Sequence, residues 1–286
     1  MPQEPRDSLS RVRSDLTDLA DKVRACCSRS MQDIETLLLQ RGHRVHSANP
    51  QQLILLPSRS SVKDIDSFYR KMHRYSFRLL LRDIVVRGDG FSKNDVCKYA
   101  SDEVTQNDLD FLLQIGLLTQ ECGKYKSTLP GITSFGETLE WYVSSVFERE
   151  FRFASSWSVL LGGEAGIGDY DVLASAGGKL VYIETKSSPP RNIHEPQVSE
   201  FIARTKRLAP DMAVFFVDTE LRLEDKILEV FRSVISRNVA RQLKPAAKSQ
   251  SVYVTSAGLC IVNSRRDIIA NLRECVKGLF RVEWRI

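Results

Sequence analysis

Asp171, Glu184 and Lys186 stand within the run DYDVLASAGGKLVYIETK, residues 169–186. Side chains alternate faces along a strand, so Glu184 and Lys186 point to one side and Thr185 to the other. Ala176, Gly177 and Gly178 predict a tight turn that folds this strand back beside the one beginning near Asp171. The gap of 13 positions between the acids (184 − 171) suits such a hairpin. Two carboxylates and one amine at one end of a sheet can hold a divalent metal and act on a phosphodiester. Taken singly, a strand acid or a Glu-x-Lys is often a surface ion pair worth under about 1 kcal/mol. The setting gives the triplet its weight. Val181 and Ile183 supply apolar support, and glycines 162, 163, 166 and 168 open the approach to Asp171.

Those strands must be carried by a larger sheet. From Phe135 onward, GETLEWYVSSVFEREF reads as a helix, then WSVLLG, DYDVLAS and KLVYIETKSS as strands. PQVSEFIARTKRLA reads as a helix, MAVFFVD as a strand and LEDKILEVFRSVISRNVARQL as a helix. SVYVTS and LCIVNS are apolar, β-prone pieces, and DIIANLRECVKGLF is a final helix. Residues 131–286 are therefore expected to form an α/β domain with a mixed central sheet flanked by helices.

The first half is mainly helical. Residues 1–62 read as a helical region and connector. Ser8 caps a run of Leu9, Val12, Leu16, Leu19 and Val23, and Met31, Ile34, Leu37 and Leu38 continue it. Residues 41–62 carry one short apolar piece, Leu53 to Leu56. Residues 63–130 run helix, helix, helix, hairpin, an order that resembles a winged helix. Its last helix offers Thr105, Gln106, Asn107, Asp108 and Asp110 near its start, which phosphate binding disfavours. Lys124 and Lys126 in the wing work the other way. Contact with DNA and docking of a protein both stay open for this unit.

Composition narrows the class. The chain has 286 residues, 42% hydrophobic and 27% charged, with net charge +5, as in an ordinary globular protein. Mild basicity is compatible with a polyanionic partner without requiring one. No apolar run approaches the roughly 20 residues that span a bilayer, and the polar first residues lack a signal core. An intracellular protein, cytoplasmic or in the nucleoid or nucleus, is expected. Cys26, Cys27, Cys97, Cys122, Cys260 and Cys275 show no CxxC or Cys/His spacing, so reduced thiols and no zinc are expected.

The order helix with Glu, strand with Asp, strand with Glu-x-Lys, helix, strand resembles the PD-(D/E)XK superfamily over residues 132–220. That superfamily has the restriction-endonuclease-like fold and includes RecB-like and Holliday-junction nucleases. The resemblance implies a metal-dependent deoxyribonuclease. Asp171 and Glu184 would hold Mg2+, or Mn2+ in its place, through hard oxygen ligands. Lys186 would orient or deprotonate the attacking water, its pKa lowered beside the cation. Glu137 or Glu140 on the preceding helix would supply a further ligand, with Glu140 preferred for its apolar neighbours Leu139 and Trp141. Gln197 matches the Gln that RecB-like members carry, but Phe201 stands where they carry Tyr. Tyr170 replaces the usual Pro before Asp171, and Asp169 competes with Asp171 as ligand. Arg191, Arg204 and Lys206 would contact the nucleic-acid backbone, and His194, Ser187, Ser188 and Asn192 line the same loop. DNA is the expected partner, with a protein partner possible through the N-terminal helices and a homodimer possible for cutting both strands. A nuclease-fold module that binds nucleic acid or protein without turnover is the alternative.

Overall fold

A computed structural model describes residues 31–129, 131–162, 168–246 and 250–280. The helix expected from Ser8 to Val23, the pair Cys26 and Cys27, and the glycines at 163 and 166 lie outside the described residues. Residues 31–39 are helical (α1), with Ile34, Leu37 and Leu38 buried and the intervening polar positions largely exposed. The connector then holds a strand that the sequence reading passed over, β1 (Arg44–Ser47), which pairs antiparallel with a strand of the main sheet. RVHS carries no alternating apolar signal because an edge strand there is mostly exposed.

The first helical unit contains α2 (Val62–Met72), α3 (Tyr75–Arg87), β2 (Asp89–Phe91), α4 (Lys93–Val96) and α5 (Asp102–Gln114), then the hairpin β3 (Leu118–Glu121) and β4 (Lys124–Ser127). Its three strands form a small sheet in the order β2-β4-β3. Ser61 and Asp64 cap α2 reciprocally, and Ser101 caps α5 by accepting from the Val104 N–H.

The second unit runs α6 (Gly136–Phe151), β5 (Ala154–Gly162), β6 (Gly168–Ala176), β7 (Lys179–Lys186), α7 (Glu195–Leu208) and β8 (Met212–Val217). It continues through α8 (Ile227–Val234), α9 (Arg237–Gln242), β9 (Lys244–Pro245), β10 (Val252–Val254), β11 (Leu259–Asn263) and α10 (Ile268–Lys277). The eight strands lie in the order β1-β5-β6-β7-β8-β11-β10-β9. The β7–β8 and β8–β11 pairs are parallel and the others antiparallel. The protein is thus α/β, with a large mixed sheet flanked by helices. Among the described residues no helix is long and apolar enough to cross a membrane.

Two hydrophobic cores lie on the two faces of the sheet. One joins α7, α8 and α1 to Leu173, Leu180, Tyr182 and Phe215. The other joins α6 and α10 to Val172, Ala174, Val181 and Ile183, and runs without a break into Phe68, Met72, Phe77 and Leu81 of the first unit. Cys260 on β11 and Cys275 on α10 are joined in a disulfide within this core, which corrects the expectation of reduced thiols throughout. Their separation of 15 residues belongs to no recognisable spacing motif.

One irregularity bears on the site. Trp157 and Val172 face α6, whereas Val159 and Tyr170, two positions away on the same strands, face α7. Simple alternation would put each pair on one face. The register holds on both sides, Trp157 with Val172 and Val159 with Tyr170. Between them Ser158 has φ 47°, a left-handed conformation uncommon for a residue with a side chain. The reversal therefore falls on Ser158 and, across the hairpin, on Asp171.

Candidate functional site

Glu184 and Lys186 occupy alternate positions near the end of β7, on the α7 face with Tyr182. Lys186 Nζ donates to Glu184 Oε1 at 2.7 Å. The Tyr182 hydroxyl donates to Glu184 Oε2, and Arg204 Nη1 approaches the same oxygen at 3.4 Å. Glu184 is only 4% exposed, so these donors compensate a carboxylate largely removed from water. Burial lowers the Lys186 pKa, but Glu184 outweighs it and the net value lies above that of an ordinary lysine. As placed, Lys186 is a charged donor rather than a base.

Asp171 sits at the reversal on β6, so its hydrogen bonds decide its orientation. Its Oδ2 accepts from the Thr185 backbone N–H at 2.6 Å and from Thr185 Oγ1 at 3.2 Å. Burial, then the neighbouring Glu184, raise the Asp171 pKa, and the Thr185 bonds and Lys186 only partly offset them. Glu140, on α6, is pushed far above the ordinary carboxylate range by burial and then by Asp171, Asp169, Glu137 and Glu184. Asp169, at the exposed rim, is raised by burial, with Arg204 opposing and Glu184 and Glu137 adding to it. Helix and hairpin thus bring five carboxylates, from α6, β6 and β7, within electrostatic reach of one another.

These oxygens are hard donors of the kind Mg2+ takes, and Asp171, Glu184 and Glu140 could hold such an ion. The mutual repulsion that raises Glu140 and Asp171 is what a cation would relieve. As placed, Glu184 is occupied by Lys186, Tyr182 and Arg204, and among the described residues no three His, Cys, Asp or Glu side chains converge into a formed metal cage.

Other expected residues stand apart. Gln197 is the N3 residue of α7, and its Oε1 accepts from the His194 N–H at 2.9 Å, closing a capping box. Its side chain serves the helix end rather than the carboxylates. A Gln at the third position of a helix closes such a box through its side-chain oxygen wherever it occurs. Arg191 is exposed, and its carbonyl accepts from Lys226 Nζ at 3.0 Å. Lys206 points to solvent on the exposed side of α7. Arg204, grouped in the sequence with Lys206 as a backbone contact, instead reaches into the site. Sequence reasoning missed Tyr182 and the Thr185 side chain. Tyr182 was available to it, because a residue two before Glu184 shares its face.

Two cavities lie elsewhere. One of about 940 Å3 is lined by residues including Lys179, Lys244, Ser256 and Glu274, and another of about 630 Å3 by Asp33, Arg152 and the β6–β7 turn at Gly177 and Gly178.

No family model matches the sequence, and no curated protein does. Among solved structures, protein VC1899 from Vibrio cholerae is similar with a TM-score of 0.47 and 15% identity, over 81% of this chain and 57% of that one. Can2 from Sulfobacillus thermosulfidooxidans, solved in complex with cyclic tetra-adenylate, is similar with a TM-score of 0.43 and 16% identity, over 64% of this chain and 50% of that one. The chain therefore spans about half the length of each, at a likeness too low to transfer a role.

Proposed function

We propose that the chain is a metal-dependent deoxyribonuclease of the PD-(D/E)XK, restriction-endonuclease-like class. The observation that carries this reading is the grouping of Asp171, Glu184 and Lys186 at one end of β6 and β7, with Lys186 bonded to Glu184 and Glu140 of the preceding helix within their electrostatic reach. The order α6-β5-β6-β7-α7-β8, with β8 parallel to β7, is the one this class requires. Mg2+, with Mn2+ a substitute, would be held by Asp171, Glu184 and Glu140 and would supply neutralisation of the phosphate and acidification of water.

The chain's own residues supply the rest. Thr185 fixes Asp171 by two hydrogen bonds, and Tyr182 fixes Glu184, so both acids are oriented before substrate arrives. Lys186 holds a proton on Nζ beside Glu184, where it can orient the attacking water and meet the charge that develops on a phosphate oxygen. Asp169 and Glu137 lie at the rim, where they shape the field without being buried in it. DNA is the proposed substrate. The first unit, winged-helix-like in its element order, would select a target or partner. The exposed Asp102, Glu103 and Asp110 of α5 favour a protein there over a phosphate backbone.

A second reading has its own support: Glu184 saturated by three donors and Gln197 spent on a helix cap describe a nuclease-like module that binds without turnover. One assay separates the two. Purified protein is incubated with plasmid, linear single-stranded and branched DNA plus Mg2+ or Mn2+, beside Glu184→Ala and Lys186→Ala. Cleavage by wild type alone supports the enzyme. Equal cleavage by all three, or none by wild type, removes the catalytic reading, and binding without cleavage favours the module.

A further inference from the structure

Glu184 has both oxygens engaged, Oε1 by Lys186 and Oε2 by Tyr182 and Arg204. A carboxylate so committed has little lone-pair capacity left for another ligand. Tyr182 and Lys186 share the strand with Glu184, and its pleat fixes them there. Arg204 differs in three respects. It comes from α7 rather than β7, and its side chain retains 21% exposure. Its Nη2 is also tied outward, to Glu200 Oε1 at 2.5 Å, and the Glu200 side chain is 61% exposed. Its charge is felt by the rim residue Asp169 as well. The guanidinium thus spans from the buried acid to solvent. A guanidinium matches phosphate with two parallel hydrogen bonds, a geometry a lysine lacks.

We propose that Arg204 is a gating residue: it holds Glu184 while no substrate is present, then transfers to a backbone phosphate of the incoming nucleic acid and frees Glu184 as a metal ligand. This rests on the nuclease reading and adds to it an order of events. Substrate and metal become linked, because each favours the state in which Arg204 has left Glu184. Such linkage is reciprocal, so nucleic acid tightens metal binding by the factor by which metal tightens nucleic-acid binding. Metal would then bind weakly to the free protein, and a carboxylate end open to solvent would not be charged with a cation until a phosphate is present.

The test titrates Mn2+ by calorimetry into wild type, Arg204→Gln, Arg204→Lys and the pair Arg204→Gln with Glu184→Gln, all without DNA, and measures KM and kcat for DNA cleavage in the single variants. Arg204→Gln is expected to bind Mn2+ about tenfold tighter than wild type, the scale of one charge contact near a protein surface, while its KM for DNA rises. Arg204→Lys keeps the charge and is expected to bind Mn2+ as wild type does, yet to share the raised KM because the fork is lost. Adding Glu184→Gln should cancel the gain. If wild type cleaves DNA and Arg204→Gln binds Mn2+ no tighter, or the gain survives Glu184→Gln, the gate is wrong and the nuclease stands. If no variant binds Mn2+ through Glu184 and none cleaves, both fall together.

Discussion

Two aspartates, half-buried Asp171 and buried Asp218, show opposite ways of placing the same group. Asp218 follows β8, is 1% exposed, and meets α3 of the first unit. Arg78 Nε and Nη2 donate to its carboxylate at 2.8 to 3.0 Å, and Arg82 Nη2 donates to Oδ2. Arg78 also donates Nη1 to the Met72 and His73 carbonyls that close α2. Burial alone would raise the Asp218 pKa, but Arg78 and then Arg82 outweigh it and hold it below the ordinary value. Asp171 stands among acids instead, and its partial removal from water and Glu184 leave it raised. Two cations on one anion make a joint. Five carboxyl groups facing few cations make a site, whose unfavourable field the rest of the fold must sustain.

The contrast can be broken first at the site. Glu184→Ala and Lys186→Ala should each lower the DNA cleavage rate by about 10²- to 10⁴-fold, as single-turnover assays would read. At the joint the loss should fall on stability. Asp218→Asn leaves Arg78 buried with no counter-charge and should cost about 3–5 kcal/mol, read from the urea midpoint.

The joint also has a pH signature. Its carboxylate has a lowered folded pKa, so its contribution is complete above the unfolded value of 3.8 and fades as pH falls from there through the folded value. Wild type should lose stability over that acid range, and Asp218→Asn should lack that limb. Glu140→Gln carries the opposite sign. Removing one repelling acid should stabilise the protein by about 1 kcal/mol in chelator, and a loss on melting would show the acids to be less crowded than described. The smallest effect belongs to Thr185→Val, which deletes the side-chain bond to Asp171 but keeps the backbone one. A cost near 1 kcal/mol or less is expected, with a measurable drop in cleavage rate.

Much of the second unit was legible in the sequence, because the apolar run of β7, the alternation of side chains along a strand and the period-3.6 patterning of α6 and α7 are local signals. Glu184 and Lys186 share a face for that reason alone. The strand β1 was not legible, since its exposed RVHS offers no apolar alternation. Nor was the reversal at Ser158, because a serine gives no warning of a left-handed backbone as a glycine would. Arg204 and Asp218 were hidden for a different reason. Arg204 meets Glu184 across 20 positions and Arg78 meets Asp218 across 140, so only the folded chain brings them together. Gln197 was read from a motif, and the local demand of a helix N-terminus claimed it.

The unbroken core between the two units has a consequence for inheritance. The Phe68 and Trp141 rings meet at 5.8 Å with a 53° tilt, the Leu55 N–H donates to Thr138 Oγ1 at 2.9 Å, and Tyr69 donates to Glu150 at 3.0 Å. A gene cut at residue 130 would sever each of these and leave two apolar halves facing water. Recombination could not readily exchange the first unit for another as an independent cassette, because a replacement would have to rebuild the whole seam. The two units would then have to evolve together, by substitution within one cooperative body rather than by shuffling of parts.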